Sequence, residues 1–226
     1  KCNTSGCYNV IFGLSAGQCG AAGNRRIFLG QGAGFKSCGD SNIAIGFYAG
    51  CQVTTGSENI AVGSNSMRCA AVTGSNNITL GKYSLKCLTS GNKNIAIGSY
   101  ALEKCTTSGS CNIAIGEKAA RCITGSCNIA IGCIAMRALG GGSGNDNVAL
   151  GNYTMSCISS GAKNIAIGAQ NMRCLTSGDR NISVGQRALG ADALLTGDDN
   201  VAIGVYAGRK ATSASYNQMI GSVAGE

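Results

Sequence analysis

Histidine, tryptophan and proline are absent from the chain, and aromatic residues make up only 5% of it. Without histidine, Ser-His-Asp and Cys-His catalytic constellations cannot be built within this chain. With so few rings, a thick core around large aromatic side chains is excluded. No run of 18 apolar residues occurs, so no stretch reads as a membrane-spanning helix. No Cys-x-x-Cys pair is present, the spacing that zinc sites usually show, and no phosphate-binding loop is found. Asp198 and Asp199 are adjacent, and on a strand they would point to opposite faces, unsuited to paired acid–base work. In a turn, Thr196-Gly197-Asp198-Asp199 fits no calcium-loop spacing. These absences point away from an enzyme and from a cofactor or metal centre. The first residue is Lys1, so the chain is expected to be processed or part of something longer.

What is present is repetition. The phrase Asn-Ile-Ala-Ile-Gly recurs, with variants, thirteen times at intervals of 16 to 19 residues. The closing glycines are Gly13, Gly30, Gly46, Gly63, Gly81, Gly98, Gly116, Gly132, Gly151, Gly168, Gly185, Gly204 and Gly221. Four places before the glycine stands Asn in twelve copies, with Arg26 the exception. Such a period decides the architecture before any local reading does. The chain is read as one array over 1–226, with no separate domain boundary.

Within the phrase, Ile113 and Ile115 point one way, and Asn112 and Ala114 the other, which is the period of a strand. β-Branched residues favour that conformation, and the following glycine permits a bend. A second short strand is expected at Ala101-Leu102 or Ala135-Met136, then a polar turn such as Thr89-Ser90-Gly91. Helical repeats would need long stripes at 3.6 spacing and few glycines, yet the chain has 36. Propeller blades need about 40 residues. The expectation is an all-β β-solenoid, or β-roll, of about thirteen coils, one repeat per coil. The paired Ile residues are expected to face the interior and the Ala between them to face out. The Asn column, including Asn42, Asn59, Asn94, Asn112, Asn128 and Asn164, is expected to shape the coil. Its stacked amides can hydrogen-bond along the array and satisfy turn backbone.

The net charge is +8. Five places after the closing glycine stand Arg68, Lys86, Arg121, Arg137, Arg173 and Arg209, which would stack as a broken basic stripe. Such residues read first as a solvated face and second as an attraction for polyanions. No aromatic interleaving or nucleic-acid-reading module accompanies them, so nucleic acid is not expected as a partner.

The stretch NIAIGSYALEKCTTSGSCNIAIG (94–116) resembles the arrays of phage and large-virus tail and surface fibres. It is similar also to the head repeats of trimeric autotransporter adhesins, whose repeats are shorter. The likeness covers essentially the whole chain. It implies a β-roll in each chain and three rolls about a common axis, hence a parallel homotrimer at a cell surface, outside the cell or on a virion. A cell-surface receptor or glycan is an implied partner. The small residue between the two Ile would suit close packing against a partner chain. The alternative is an ice-binding or surface-templating solenoid, but the Thr and Ser residues stand beside Gly in turns, as turn chemistry requires.

The fibre pattern carries few cysteines, whereas this chain has 14. Cys69, Cys87, Cys122, Cys157 and Cys174 share one slot, six places after the glycine, and Cys105 lies near it. Cys111 and Cys127 share another. Neighbouring strands lie ~4.8 Å apart, within the Cα separation a disulfide accepts. Candidate bridges are Cys69–Cys87, Cys105–Cys122, Cys111–Cys127 and Cys157–Cys174, each closing a loop worth about 3 kcal/mol. Bridges between chains, a thiolate metal site drawn from Cys105, Cys111, Cys122, Cys127 and Cys133, and free buried thiols are the competing readings. Disulfides would imply an oxidising compartment.

Overall fold

The structure is a computed structural model that describes residues 6–19, 23–68, 71–104, 108–138 and 140–225. Among them the chain forms strands and turns and no helix. It divides into two compact units, 1–112 and 113–226. The first contains β1 (Val10–Phe12), β2 (Ile27–Leu29), β3 (Ile43–Ile45), β4 (Ile60–Val62), β5 (Ile78–Leu80) and β6 (Ile95–Ile97). The second contains β7 (Ile113–Ile115), β8 (Ile129–Ile131), β9 (Val148–Leu150), β10 (Ile165–Ile167), β11 (Ile182–Val184), β12 (Val201–Ile203) and β13 (Gln218–Ile220). Within each unit every strand pairs in parallel with the next in chain order, so each unit is a β-solenoid. Register follows the repeat: Ile60 lies on Ile78, Ala61 on Thr79 and Val62 on Leu80. Equal positions of successive repeats therefore form columns.

Each strand ends at the glycine for a steric reason. Gly81 has φ +144°, and a Cβ on it would lie 2.5 Å from the carbonyl oxygen of Gly98. A tight turn follows, in which Ser84 N–H and its Oγ–H both donate to Gly81 O at 3.4 and 2.9 Å. Tyr83, at the third place of that turn, has φ 58°, and Leu85 and Lys93 are also left-handed (φ 44° and 57°). Left-handed backbone costs an ordinary residue about 1 kcal/mol or more. It is held here by hydrogen bonds to the coils on either side: Tyr83 N–H to Ser64 O, Leu85 N–H to Ala101 O and Lys93 N–H to Ser75 O.

The second strand does not lie where the sequence places it. Ala101-Leu102 and Ala135-Met136 belong to the turn, and Leu102 and Met136 are left-handed (φ 49° and 53°). The second β contact comes later and is a single parallel bridge, as at Val53–Val72, Ile123–Gly142 and Leu175–Leu195.

The two faces of the strand are also the reverse of the expectation. Ala44, Ala61, Ala96, Ala114, Ala130, Ala149, Ala166 and Ala202 are buried, while the flanking Ile, Val and Leu residues are half-buried or exposed. Val184 and Ile203 are exposed, whereas Leu189 is fully buried. The reason is space. The coil interior is already filled from the turn side by Met67, Leu85, Leu102, Met136, Met155, Met172 and Leu189, and from the far side by Leu88, Ile123, Ile158 and Leu175. Only a small side chain fits opposite them.

The Asn column lies on the Ala face and is therefore inside. Asn42, Asn59, Asn94, Asn112, Asn128 and Asn164 are all buried. Asn94 shows the pattern. Its backbone N–H and its Nδ2 both donate to Asn77 Oδ1, at 2.9 and 3.0 Å. Its Nδ2 also donates to Gly109 O at 3.0 Å, and its Oδ1 accepts from the N–H and Nδ2 of Asn112. A buried amide in a dry interior would cost free energy unpaired; here each one is satisfied and closes a turn.

Candidate interaction surfaces

The inversion of the strand leaves two aliphatic columns on the outer face of each unit. In the first unit they include Ile45, Ile78 and Leu80, and in the second Ile131, Ile165, Ile167, Ile182, Val184 and Ile203. Each exposes roughly two fifths of its surface; Leu80 exposes half. The columns are in register and on one face, so the apolar surface is contiguous along each unit. Monomeric soluble proteins seldom expose such a patch.

The basic stripe stacks on tyrosines. The Arg68 guanidinium lies 5.1 Å from the Tyr48 ring centre and donates to Asn65 Oδ1 at 2.6 Å. Lys82 and Lys86 lie 5.1 and 4.8 Å from the Tyr83 ring, which itself packs 5.3 Å from Tyr100. In the second unit Arg187 and Arg209 flank Tyr206, at 5.8 and 5.2 Å. Both also pair with Asp192, at 2.7 and 3.3 Å. The hydrogen bond from Arg187 holds the Asp192 carboxyl below its ordinary value; Arg180 does the same to Asp199 through bonds of 2.7 and 2.8 Å. Arg137 Nε is buried without a partner, and Arg121 and Arg173 continue the column in the second unit. Tyrosines two places after the glycine were not singled out in the sequence; their recurrence at 48, 83, 100, 153 and 206 is the signal that finds them.

No disulfide joins the described cysteines in the structure, Cys87, Cys111, Cys122, Cys127, Cys157 and Cys174 among them. Cys69 and Cys105 lie outside the described residues. Cys111 and Cys127 are exposed, one in each unit, and both are left-handed (φ 61° and 59°). Cys157 and Cys174 occupy the same slot of neighbouring coils, and Cys157 N–H bonds to Arg173 O at 3.1 Å. No three of His, Cys, Asp and Glu converge among the described residues.

Threonine hydroxyls of the turns are engaged with the next coil: Thr54 donates to Val72 O, Thr124 to Gly142 O and Thr176 to Leu195 O, at 3.1–3.2 Å. An open depression of about 460 Å³ lies beside Asn24, Cys38, Asp40 and Ser57. Its carboxylate is engaged with backbone, Asp40 Oδ1 accepting from Asn24 N–H at 2.7 Å. No helix among the described residues is long and apolar enough to cross a membrane. Fold and surfaces together define each unit as a β-solenoid with one apolar sheet face. No family model, curated protein or solved structure matches the chain.

Proposed function

We propose that the chain is a structural, non-enzymatic fibre segment of a virion or cell surface, and that its aliphatic sheet face is the seam of a parallel homotrimer. The observation that carries this reading is the pair of in-register Ile columns on the outer face. Identical chains set parallel present identical columns to one another, and covering them removes apolar surface from water at about 25 cal/mol per Å². The resemblance to trimeric fibres supports three copies over two. The Ala positions first considered for this contact are inside the coil and take no part in it. Receptor or glycan contact falls to the turns.

Light scattering at micromolar concentration tests the assembly. Three chains per particle are expected, and Ile131→Glu with Ile167→Glu should give monomers with an unchanged β spectrum. A stable wild-type monomer would rule the seam out. Staples between neighbouring coils are part of the same proposal, with Cys157–Cys174 the best-placed pair. Stacked thiols stand about one strand spacing apart, ~4.8 Å, wider than the usual Cβ separation of a disulfide, so oxidation must draw the two turns together. Full alkylation of both residues without reductant would sink this pairing.

A further inference from the structure

The tripeptide Asn-x-Ser/Thr, the acceptor signal for N-linked glycans, occurs at Asn3, Asn77, Asn152 and Asn181. Asn3 lies outside the described residues. The other three stand in two opposite environments. Asn152 is exposed in the turn after β9; its Oδ1 accepts from Cys133 N–H at 3.0 Å, and its Nδ2 bonds to no described residue. Asn77 and Asn181 are members of the buried ladder with no exposed surface. Asn77 Nδ2 donates to Asn59 Oδ1, Gly91 O and Ser75 O at 3.0–3.2 Å. Asn181 Nδ2 donates to Asn164 Oδ1 at 3.1 Å and Gly197 O at 2.8 Å. A sugar on either nitrogen would replace a donated hydrogen with a bulky polar group inside a coil that is packed on every side.

The residues that complete the two buried signals are themselves out of place. Thr79 and Ser183 stand at the mid-strand position that is Ala in most coils. Both are fully buried, and neither hydroxyl finds a hydrogen-bond partner. The fold therefore gives these hydroxyls no structural task, and Ala serves the same place in neighbouring coils.

We infer that the chain reaches its folded state in a compartment without asparagine-glycosylating machinery, and that of the three described signals only Asn152 can carry a glycan in the folded protein. In that reaction Nδ2 forms a bond to the first sugar of a lipid-linked diphosphate oligosaccharide. The sugar–oxygen bond breaks, the diphosphate leaves with its electron pair, and the amide loses one proton. Thr154 is buried and donates to Gly168 O, so the signal at 152 is readable only before its coil closes. A surface fibre made by this route leaves the cell by a path other than the secretory one, for example inside an assembled particle. A cytosol-like compartment keeps thiols reduced, so any bridges form after release.

The test sends the full chain through the secretory pathway of a eukaryotic cell behind a cleavable signal peptide, beside a Thr79→Ala/Ser183→Ala double variant. Both are also made in bacterial cytosol, where both should show the same β spectrum and protease resistance. In the secretory route the wild type should carry glycans at Asn77 or Asn181 by glycopeptide mass spectrometry and be retained at least tenfold more than the double variant. The double variant should be secreted folded, with Asn152 the modified position of the three. Secretion of folded wild type, with glycans at Asn77 or Asn181 or with both left bare, would overturn the inference, as would equal retention of the two chains. A glycan at either buried position in protein from its natural source would overturn it as well.

Discussion

The coil that begins at β2 and the coil that begins at β8 enclose the same cross-section with opposite assignments of size. At β8 the mid-strand residue is Ala130 and the turn supplies Met136; both are fully buried. At β2 the mid-strand residue is Phe28, also fully buried, and the turn supplies Gly34, where a Cβ would lie 2.5 Å from the Phe28 ring. The ladder differs as well. Asn128 Oδ1 accepts from both the N–H and the Nδ2 of Asn147. Arg26 occupies the same slot at β2, donates to Ser37 O and Asn9 Oδ1, and stacks 5.5 Å from Phe28. Burial pulls its guanidinium below the ordinary value. A guanidinium has no acceptor to offer, so Arg26 receives the ladder from Asn9 but cannot hand it on to Asn42. What the coil keeps across this exchange is total volume, not residue identity, while the ladder is interrupted between Arg26 and Asn42. Where both sides are small, at Ala44 and Gly50, a gap lined also by Phe28 and Ala61 is left that has no room for a water molecule.

The largest test of this comparison is charge placed on either side of one strand. Ala130→Glu puts a carboxylate against Met136 in a dry interior and should cost more than about 4 kcal/mol, enough to unfold the coil. Ile131→Glu, one residue on, should leave thermal stability of the isolated chain nearly unchanged. Equal destabilisation of the two would break the assignment of faces. Next in size is Phe28→Ala, expected to cost about 3–5 kcal/mol through the cavity it leaves. Adding Gly34→Met should return part of that loss, because Met occupies the same left-handed turn position at Met67 and Met136. A denaturation cycle over the four chains reads the coupling, and additivity would refute the exchange of volume.

Asn94→Ala removes an acceptor for two donors of Asn112 and a donor to Gly109 O. We expect a loss of about 2–3 kcal/mol, since buried groups are left unpaired, measurable by urea unfolding. The smallest effect concerns acid. The depressed carboxyls of Asp192 and Asp199 contribute stability above the unfolded carboxylate value near 3.9. That contribution is lost as pH falls through their lower folded values. Because these pairs are exposed to solvent, Asp199→Asn should lower the melting temperature only slightly at pH 7 and not at all near pH 2.

The period, the strand and the Asn column were legible in the sequence because repetition exposes columns that no single repeat shows. Alternation told which residues share a face but not which face is inside. The deciding clue was the carboxamide itself. An Asn that closes turn backbone must lie within the coil, and it carries Ala114 and Ala130 in with it. The Met and Leu four places after the glycine gave a second clue, since large apolar residues at a fixed place need an interior to fill. The strand expected at Ala101-Leu102 failed for a different reason. Left-handed backbone at Leu is rare, and only the hydrogen bonds of neighbouring coils make it tolerable. Among the site residues the basic stripe was legible as a column, but its tyrosine partners were not, because slots two and five of the turn meet within one repeat at Tyr83 and Tyr206 and across neighbouring repeats at Tyr48.

The Asn ladder has a direction. Every Oδ1 described above faces the coil that follows, and every Nδ2 reaches forward to a glycine carbonyl of that coil. An error therefore travels one way: loss of Asn94 strands groups belonging to the repeat of Asn112, while the repeat of Asn77 keeps its forward bond to the backbone of residue 94. During synthesis the most recent coil is always incomplete, waiting for a partner not yet translated, and each arrival finishes its predecessor. Such a chain matures in the order in which it is read.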